Sequence, residues 1–251
     1  MRSGIFAGTF TMGNVVCGFL AILSAFEGNT LTACWLVVLA AFLDTLDGKI
    51  ARMSGSVSRF GMELDSLADV ISFGVAPAVV VYRVQLNQIG DWGWLVAIVY
   101  IMAAAYRLAR YNVVADGKEV KEDFVGLPVP AAAIALVAFV VFVDAVWGRP
   151  AYGQVLISMP VVLAFLMVSA IEYESFPDNF SAGRNKARLV VLALAGLAIA
   201  VAPRLLLFPV VAAYILFGIG RELYRRLARR SDSVPLEAET KRPNNIADND
   251  E

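Results

Sequence analysis

Long uninterrupted apolar runs constrain this chain more than any other feature of its sequence. The segment LPVPAAAIALVAFVVFVDAV (127–146) is typical, with one charged residue near its end. A helix needs roughly 18 or more apolar residues to cross the core of a bilayer. Such runs recur along the chain, in which 59% of residues are hydrophobic and only 17% charged. In hydrocarbon the backbone must satisfy its own hydrogen bonds, so each run is expected to be a helix. A membrane barrel would instead show alternating segments of about ten residues. The expected fold is all-α, a polytopic transmembrane helical bundle.

About eight spans are expected, at 10–26, 31–53, 61–86, 92–112, 128–147, 153–172, 187–203 and 205–221. Short connections such as EGNT, NQIGD and WGRP separate them. Residues 1–172 are read as a six-span core. Residues 173–230 are read as an extra C-terminal hairpin with a basic end, turning at Ala202-Pro203-Arg204, and 231–251 as a disordered polar tail. The first span lacks a cleavage signal and is expected to stay as an anchor. With both termini in the cytoplasm, only Arg83, Arg149 and Arg204 of the 21 basic residues fall on the far side. That asymmetry is the positive-inside pattern. The sequence has no histidine, which excludes imidazole catalysis and histidine ligation. Cys17 and Cys34 both fall inside spans and are read as small packing residues. No nucleic-acid partner is expected.

Against this background LDTLDGKIARMSGSVSRFGMELDSLADVISFG (43–74) stands out, because it carries Asp44, Asp47, Asp65 and Asp69. Asp44 and Asp47 share a face at the end of the second span, and Asp65 and Asp69 share one at the start of the third. An antiparallel turn between the two helices brings all four together near the cytoplasmic surface. Four unpaired carboxylates there would be costly, and ionisable groups in spans are functional by default. A lone aspartate would more simply be a helix cap. Lys49, Arg52 and Arg59 are too few and too divergent to neutralise the four, whereas divalent cations would, and oxygen ligands suit Mg²⁺, Mn²⁺ or Ca²⁺. Gly48, Ala51 and Gly61 leave room for a bulky ligand such as a nucleotide diphosphate, with Arg52 and Arg59 as phosphate donors.

The string Asp44-x2-Asp47-Gly48-x2-Ala51-Arg52-x8-Gly61-x3-Asp65-x3-Asp69 resembles the signature of the CDP-alcohol phosphatidyltransferase family at every fixed position. The resemblance implies two divalent metal ions held by Asp44, Asp47, Asp65 and Asp69 against the diphosphate of a CDP-linked lipid. It further implies that Asp69 is the base that activates an acceptor hydroxyl, and that Gly48, Ala51, Arg52 and Gly61 bind the nucleotide. A homodimer is also implied.

The segments TMGNVVCGFLAI (11–22), SFGVAPA (72–78), YRLARYN (106–112) and FVGLPVPAAA (124–133) are similar to those of membrane-type phosphatidylserine synthases of bacteria and archaea. The similarity runs over about residues 10–170. It implies CDP-diacylglycerol and L-serine as substrates, at the cytoplasmic face of a prokaryotic inner membrane. Ala7-Gly8 depart from the Pro-Asn that the family often has before the first-span threonine. Serine carries a carboxylate, which Arg107 or Arg110 could grip bidentately, with Asn112 beside them. Positive-inside anchoring is the alternative role for each arginine. Other acceptors within the family (glycerol phosphate, inositol phosphate, choline) and a cation transporter are the competing functions. The last two spans carry no chemistry legible in their residues.

Overall fold

The computed structural model describes residues 2–54, 59–116, 126–148, 152–171, 173 and 196–232. Every described element is helical. In order they are α1 (Arg2–Phe26), α2 (Thr30–Ser54), α3 (Arg59–Asp69), a π-helical turn (Val70–Val75), α4 (Ala76–Val84) and a 3-10 turn (Leu86–Ile89). Then come α5 (Asp91–Asp116), α6 (Val129–Trp147), α7 (Val155–Val168) and α8 (Pro203–Asp232). A helical stretch at 196–201 leads into α8.

Among the described residues, six helices are long and apolar enough to cross a membrane, counting α3, the π turn and α4 as one continuous span. α7 is shorter than the expected 153–172 span. Its 14 residues rise about 21 Å, less than a bilayer core, and the extended backbone of Ser169 ends it. Residues 187–195 of the expected seventh span lie outside the described residues, as does the tail from 233. The eighth expected span lies within α8, which continues to Asp232.

Sequence accounts for the helix ends. Gly28, at φ 84°, wraps the end of α1 so that Asn29 N–H reaches Ser24 O at 2.8 Å. Gly148, at φ 61°, closes α6 in the same left-handed way. Before α6, Gly126 N–H bonds Ile171 O at 2.8 Å and Leu127 N–H bonds Leu166 O at 3.0 Å. The Gly126-Leu127-Pro128 turn is therefore strapped to the end of α7.

In lipid, helices associate by close packing of small residues rather than by escape from water. The α1–α2 contact follows that rule, burying Ala21, Ala25, Ala33, Cys34, Ala40 and Ala41. α6 is the most buried span and packs against α2, α4, α7 and α8. The outer faces carry exposed Phe19, Phe42, Met102, Phe165 and Phe217, which suits a lipid surround. Trp92, Trp94 and Trp147 are exposed at helix ends, where an aromatic belt is expected.

The π turn ties three helices together. Pro77 has no N–H to give to the preceding turn, and the Tyr100 hydroxyl of α5 supplies a donor to Phe73 O at 3.1 Å. On the α1 side, Ser72 Oγ donates to Asn14 O at 2.9 Å. Gly18 permits that approach, since a Cβ there would lie 2.8 Å from Ser72 Cα. Gly18→Ala is therefore expected to overpack the contact and cost about 1–3 kcal/mol. Thermal unfolding of the detergent-solubilised protein checks this, with Gly220→Ala as the control. A Cβ at Gly220 meets nothing within 4 Å, so its Tm should hold or rise.

Candidate active site

Helices α2 and α3 bring three of their aspartates to one point. Carboxylate oxygens of Asp44, Asp65 and Asp69 all lie within 4.8 Å of one another. Asp44 and Asp65 are half-buried, while Asp69 is only 7% and Asp47 only 6% exposed. Asp47 stands beside this trio rather than in it. Its Oδ2 accepts a hydrogen bond from Thr11 Oγ1, and its charge still acts on Asp44 and Asp65. Its other oxygen, Oδ1, is buried with no hydrogen-bond partner among the described residues.

A second layer comes from α1. Asn14 Nδ2 donates to Asp69 Oδ1 at 3.1 Å, and Asn14 is itself fully buried. Thr11 and Asn14 are i, i+3, so one face of α1 holds two of the four acids. These two residues were not singled out as site residues from sequence. The signal that could have found them is a pair of polar side chains one turn apart in an otherwise apolar span.

Magnitudes show that the cluster needs a counter-charge. Two unit charges 4.8 Å apart repel by roughly 3 kcal/mol at an effective dielectric of 20. Three such pairs sum to the order of 10 kcal/mol, comparable with the whole net stability of a domain. Among the described residues, half-buried Arg107 of α5 is a cation whose charge acts on Asp69. One guanidinium cannot balance four carboxylates. The donor set is all oxygen, and Asp47 Oδ1 is an orphaned acceptor next to it. Both facts fit hard divalent cations.

The expected phosphate-side residues divide. Gly48 is exposed, and a Cβ there would meet nothing within 4 Å, so this face of α2 is open beside Asp47. Gly61 and Arg59 lie exposed on the first turn of α3. Ala51 and Arg52 lie in the last turns of α2, and their side chains fall outside the described residues.

The expected acceptor-side residues divide as well. Arg107 is half-buried, with Nε inaccessible and unpaired among the described residues. Among charged groups, Asp69 acts on it, with Arg110 opposing. Arg110 is exposed one turn further along α5. Asn112 is engaged between helices: its Nδ2 donates to Glu63 Oε2 at 3.1 Å and Ser66 Oγ at 3.0 Å. The structure thus brings Arg107 to the carboxylates, leaves Arg110 at the surface and uses Asn112 to clamp α5 to α3.

Comparison with known proteins agrees with this geometry. The model of the CDP-alcohol phosphatidyltransferase family matches residues 5–170. A CDP-diacylglycerol–serine O-phosphatidyltransferase of Helicobacter pylori is 35% identical over 223 residues, covering 88% of this chain and 92% of that protein. One of Mycobacterium tuberculosis is 35% identical over 226 residues, covering 84% of this chain and 76% of that protein. An archaetidylserine synthase of Methanothermobacter thermautotrophicus is 36% identical over 167 residues, covering 65% of this chain and 66% of that protein. The matched stretch contains all four aspartates together with Thr11, Asn14 and Arg107, and the chain belongs to the CDP-alcohol phosphatidyltransferase family.

Proposed function

We propose that this protein transfers the phosphatidyl group of CDP-diacylglycerol to L-serine, giving phosphatidylserine and CMP. The observation that carries the chemistry is the convergence of Asp44, Asp65 and Asp69 within 4.8 Å, with Asp47 beside them. The names of the curated relatives favour serine as acceptor. Two divalent cations, Mg²⁺ or Mn²⁺, would be held by Asp44, Asp47, Asp65 and Asp69, and when bound would neutralise the diphosphate and the departing CMP.

The chain's own residues do the rest. Gly48, Gly61 and Arg59 lie on the side of the nucleotide and diphosphate, and Arg52 is assigned to the same ligand by the signature. Asp69 is the base. Asn14 occupies its Oδ1, which leaves Oδ2 to take the proton from the serine hydroxyl. The serine oxygen then bonds the phosphorus that bears diacylglycerol, and the bond from that phosphorus to CMP breaks. Arg107 pairs with the serine carboxylate, a group that ethanolamine and choline lack. Its burial beside Asp69 favours it over exposed Arg110. Asn112 steadies the wall that holds Arg107.

The lipid tails must stay in the bilayer, so the site belongs at an interface. The basic-residue asymmetry supports the cytoplasmic face, and the bacterial relatives support a prokaryotic inner membrane. The core at 1–172 would carry the chemistry and 173–230 would extend it, with 231–251 as a tail and a homodimer as the assembled form.

Three outcomes are expected. EDTA should abolish CMP release from CDP-diacylglycerol, and Mg²⁺ or Mn²⁺ should restore it. Asp44→Asn and Asp65→Asn should lose both the activity and the metal response. Full turnover in a chelated, metal-stripped preparation would contradict the metal assignment. An acceptor screen run alongside should favour serine over glycerol phosphate, inositol phosphate and choline.

Asn14→Leu keeps the volume but removes the charge-assisted hydrogen bond to Asp69, worth about 1.5–3 kcal/mol. Its kcat should fall by roughly ten- to a hundred-fold, with a smaller change in the KM for CDP-diacylglycerol. A kcat near that of the wild type would show that Asp69 needs no such orientation.

Arg107→Ala should weaken the serine step by roughly 2–5 kcal/mol if the pair is desolvated, and Arg107→Lys should do so partially. Arg110→Ala should leave the serine KM nearly unchanged. Both KM values on purified, monodisperse variants decide between carboxylate binding and membrane anchoring.

A further inference from the structure

Ser72 is fully buried in the π turn, three residues after Asp69. A serine inside a helix can place its hydroxyl on a carbonyl of its own preceding turn. Here the hydroxyl crosses to another helix and donates to Asn14 O at 2.9 Å. One short segment therefore grips Asn14 twice. Ser72 holds its backbone oxygen, and Asp69 Oδ1 accepts from its side-chain Nδ2 at 3.1 Å. Asp69 and Ser72 are i, i+3, so both bonds leave the same face toward α1. Together they close a ring through residues 69–72 and Asn14.

The surroundings are built to allow this ring. Gly18, one turn beyond Asn14, makes room for it, since a Cβ there would lie 2.8 Å from Ser72 Cα. Within the π turn, Ala76 N–H reaches back five residues to Ile71 O instead of four. Tyr100 of α5 is fully buried and donates to Phe73 O at 3.1 Å, beside Ser72 in the chain. Phenylalanine would fill the same space, so the buried hydroxyl is explained by its partner. Asn14 Oδ1 has no partner among the described residues, so its amide is aimed by Asp69 and by its own backbone. A single hydrogen bond between helices adds little to stability in lipid, which makes simple adhesion a weak reason for so constrained a contact.

We propose that Ser72 is a positioning residue for Asp69, acting through Asn14. By fixing the α1 backbone at Asn14 it holds the amide against Asp69 Oδ1 and keeps Oδ2 turned to the acceptor hydroxyl. Tyr100 acts one step further back, holding the π turn that presents Ser72. Neither residue touches substrate. This inference rests on Asp69 as the base and on Asn14 as the group that orients it.

The test measures kcat, both KM values and Tm on purified full-length wild type, Ser72→Ala, Tyr100→Phe, Asn14→Leu and the double variant Ser72→Ala/Asn14→Leu. Ser72→Ala removes a hydroxyl and adds no bulk, while Tyr100→Phe keeps the ring. Each should lower kcat by about 3- to 10-fold, the scale of one hydrogen bond, with both KM values held. Asn14→Leu retains the backbone oxygen that Ser72 binds. Any Tm loss from Ser72→Ala should therefore persist in the double variant, whereas its kcat loss should vanish because the amide is already gone. Independent contributions would instead multiply. Multiplied kcat losses would overturn the positioning role, as would a wild-type kcat in Ser72→Ala beside an impaired Asn14→Leu. In both cases the assignment of Asp69 and Asn14 stands. A wild-type kcat in Tyr100→Phe would overturn the part given to Tyr100. A wild-type kcat in Asn14→Leu would overturn the orientation of Asp69 by Asn14, and this inference with it. A fall in Tm with both KM values rising together in Ser72→Ala would make the contact a packing element only.

Discussion

Mutual repulsion among carboxylates, held where water is scarce, is the constraint around which the rest of this structure is arranged. Asp44, Asp65 and Asp69 meet within 4.8 Å, and Asp47 adds a fourth charge at their side. Repulsion of this size rivals the stability of a whole domain. Such a cluster persists only if cations or protons offset it and if neighbouring groups hold each oxygen in place. The fold around it is consistent with both: oxygen donors converge in a geometry that could hold a cation, and polar groups from a neighbouring helix bond two of the acids.

That neighbouring helix is α1, whose Thr11 and Asn14 bind Asp47 and Asp69. α1 can approach closely because Gly18 faces Ser72, and because small residues line its contact with α2. The π turn that follows Asp69 adds a residue to the helical period, a device common at functional sites. Its consequence here is concrete: Ser72 turns toward Asn14, while the Phe73 carbonyl is left for Tyr100. One irregular turn thus links Asp69, the Asn14 amide bonded to it and the helix that carries Arg107.

Position along the helices also bears on the candidate functions. Asp44 and Asp47 lie in the second half of α2, and Asp65 and Asp69 in the second half of α3, within a stretch whose basic residues the positive-inside pattern assigns to one face. A lipid diphosphate can be reached there without lifting its acyl chains from the membrane.

What sequence alone determined follows from local rules. Apolar run length dictated helices, because a bilayer offers the backbone no other donor or acceptor. Spacing along α2 and α3 put Asp44 with Asp47, and Asp65 with Asp69, on shared faces, because side chains three or four apart on a helix are neighbours. Run length overstated α7, since hydropathy does not register the extended turn at Ser169 that stops it. The tertiary structure decided what depends on partners distant in sequence. Asn112 looks like a binding residue beside two arginines, yet Glu63 and Ser66 take its amide. Arg107 and Arg110 are equivalent as text, and only the packing of α5 buries one and exposes the other. α8 reads as an anonymous apolar span until Gly218 is seen to admit Tyr173. Chain spacing encodes which residues share a helix face, but which faces meet depends on how the spans pack.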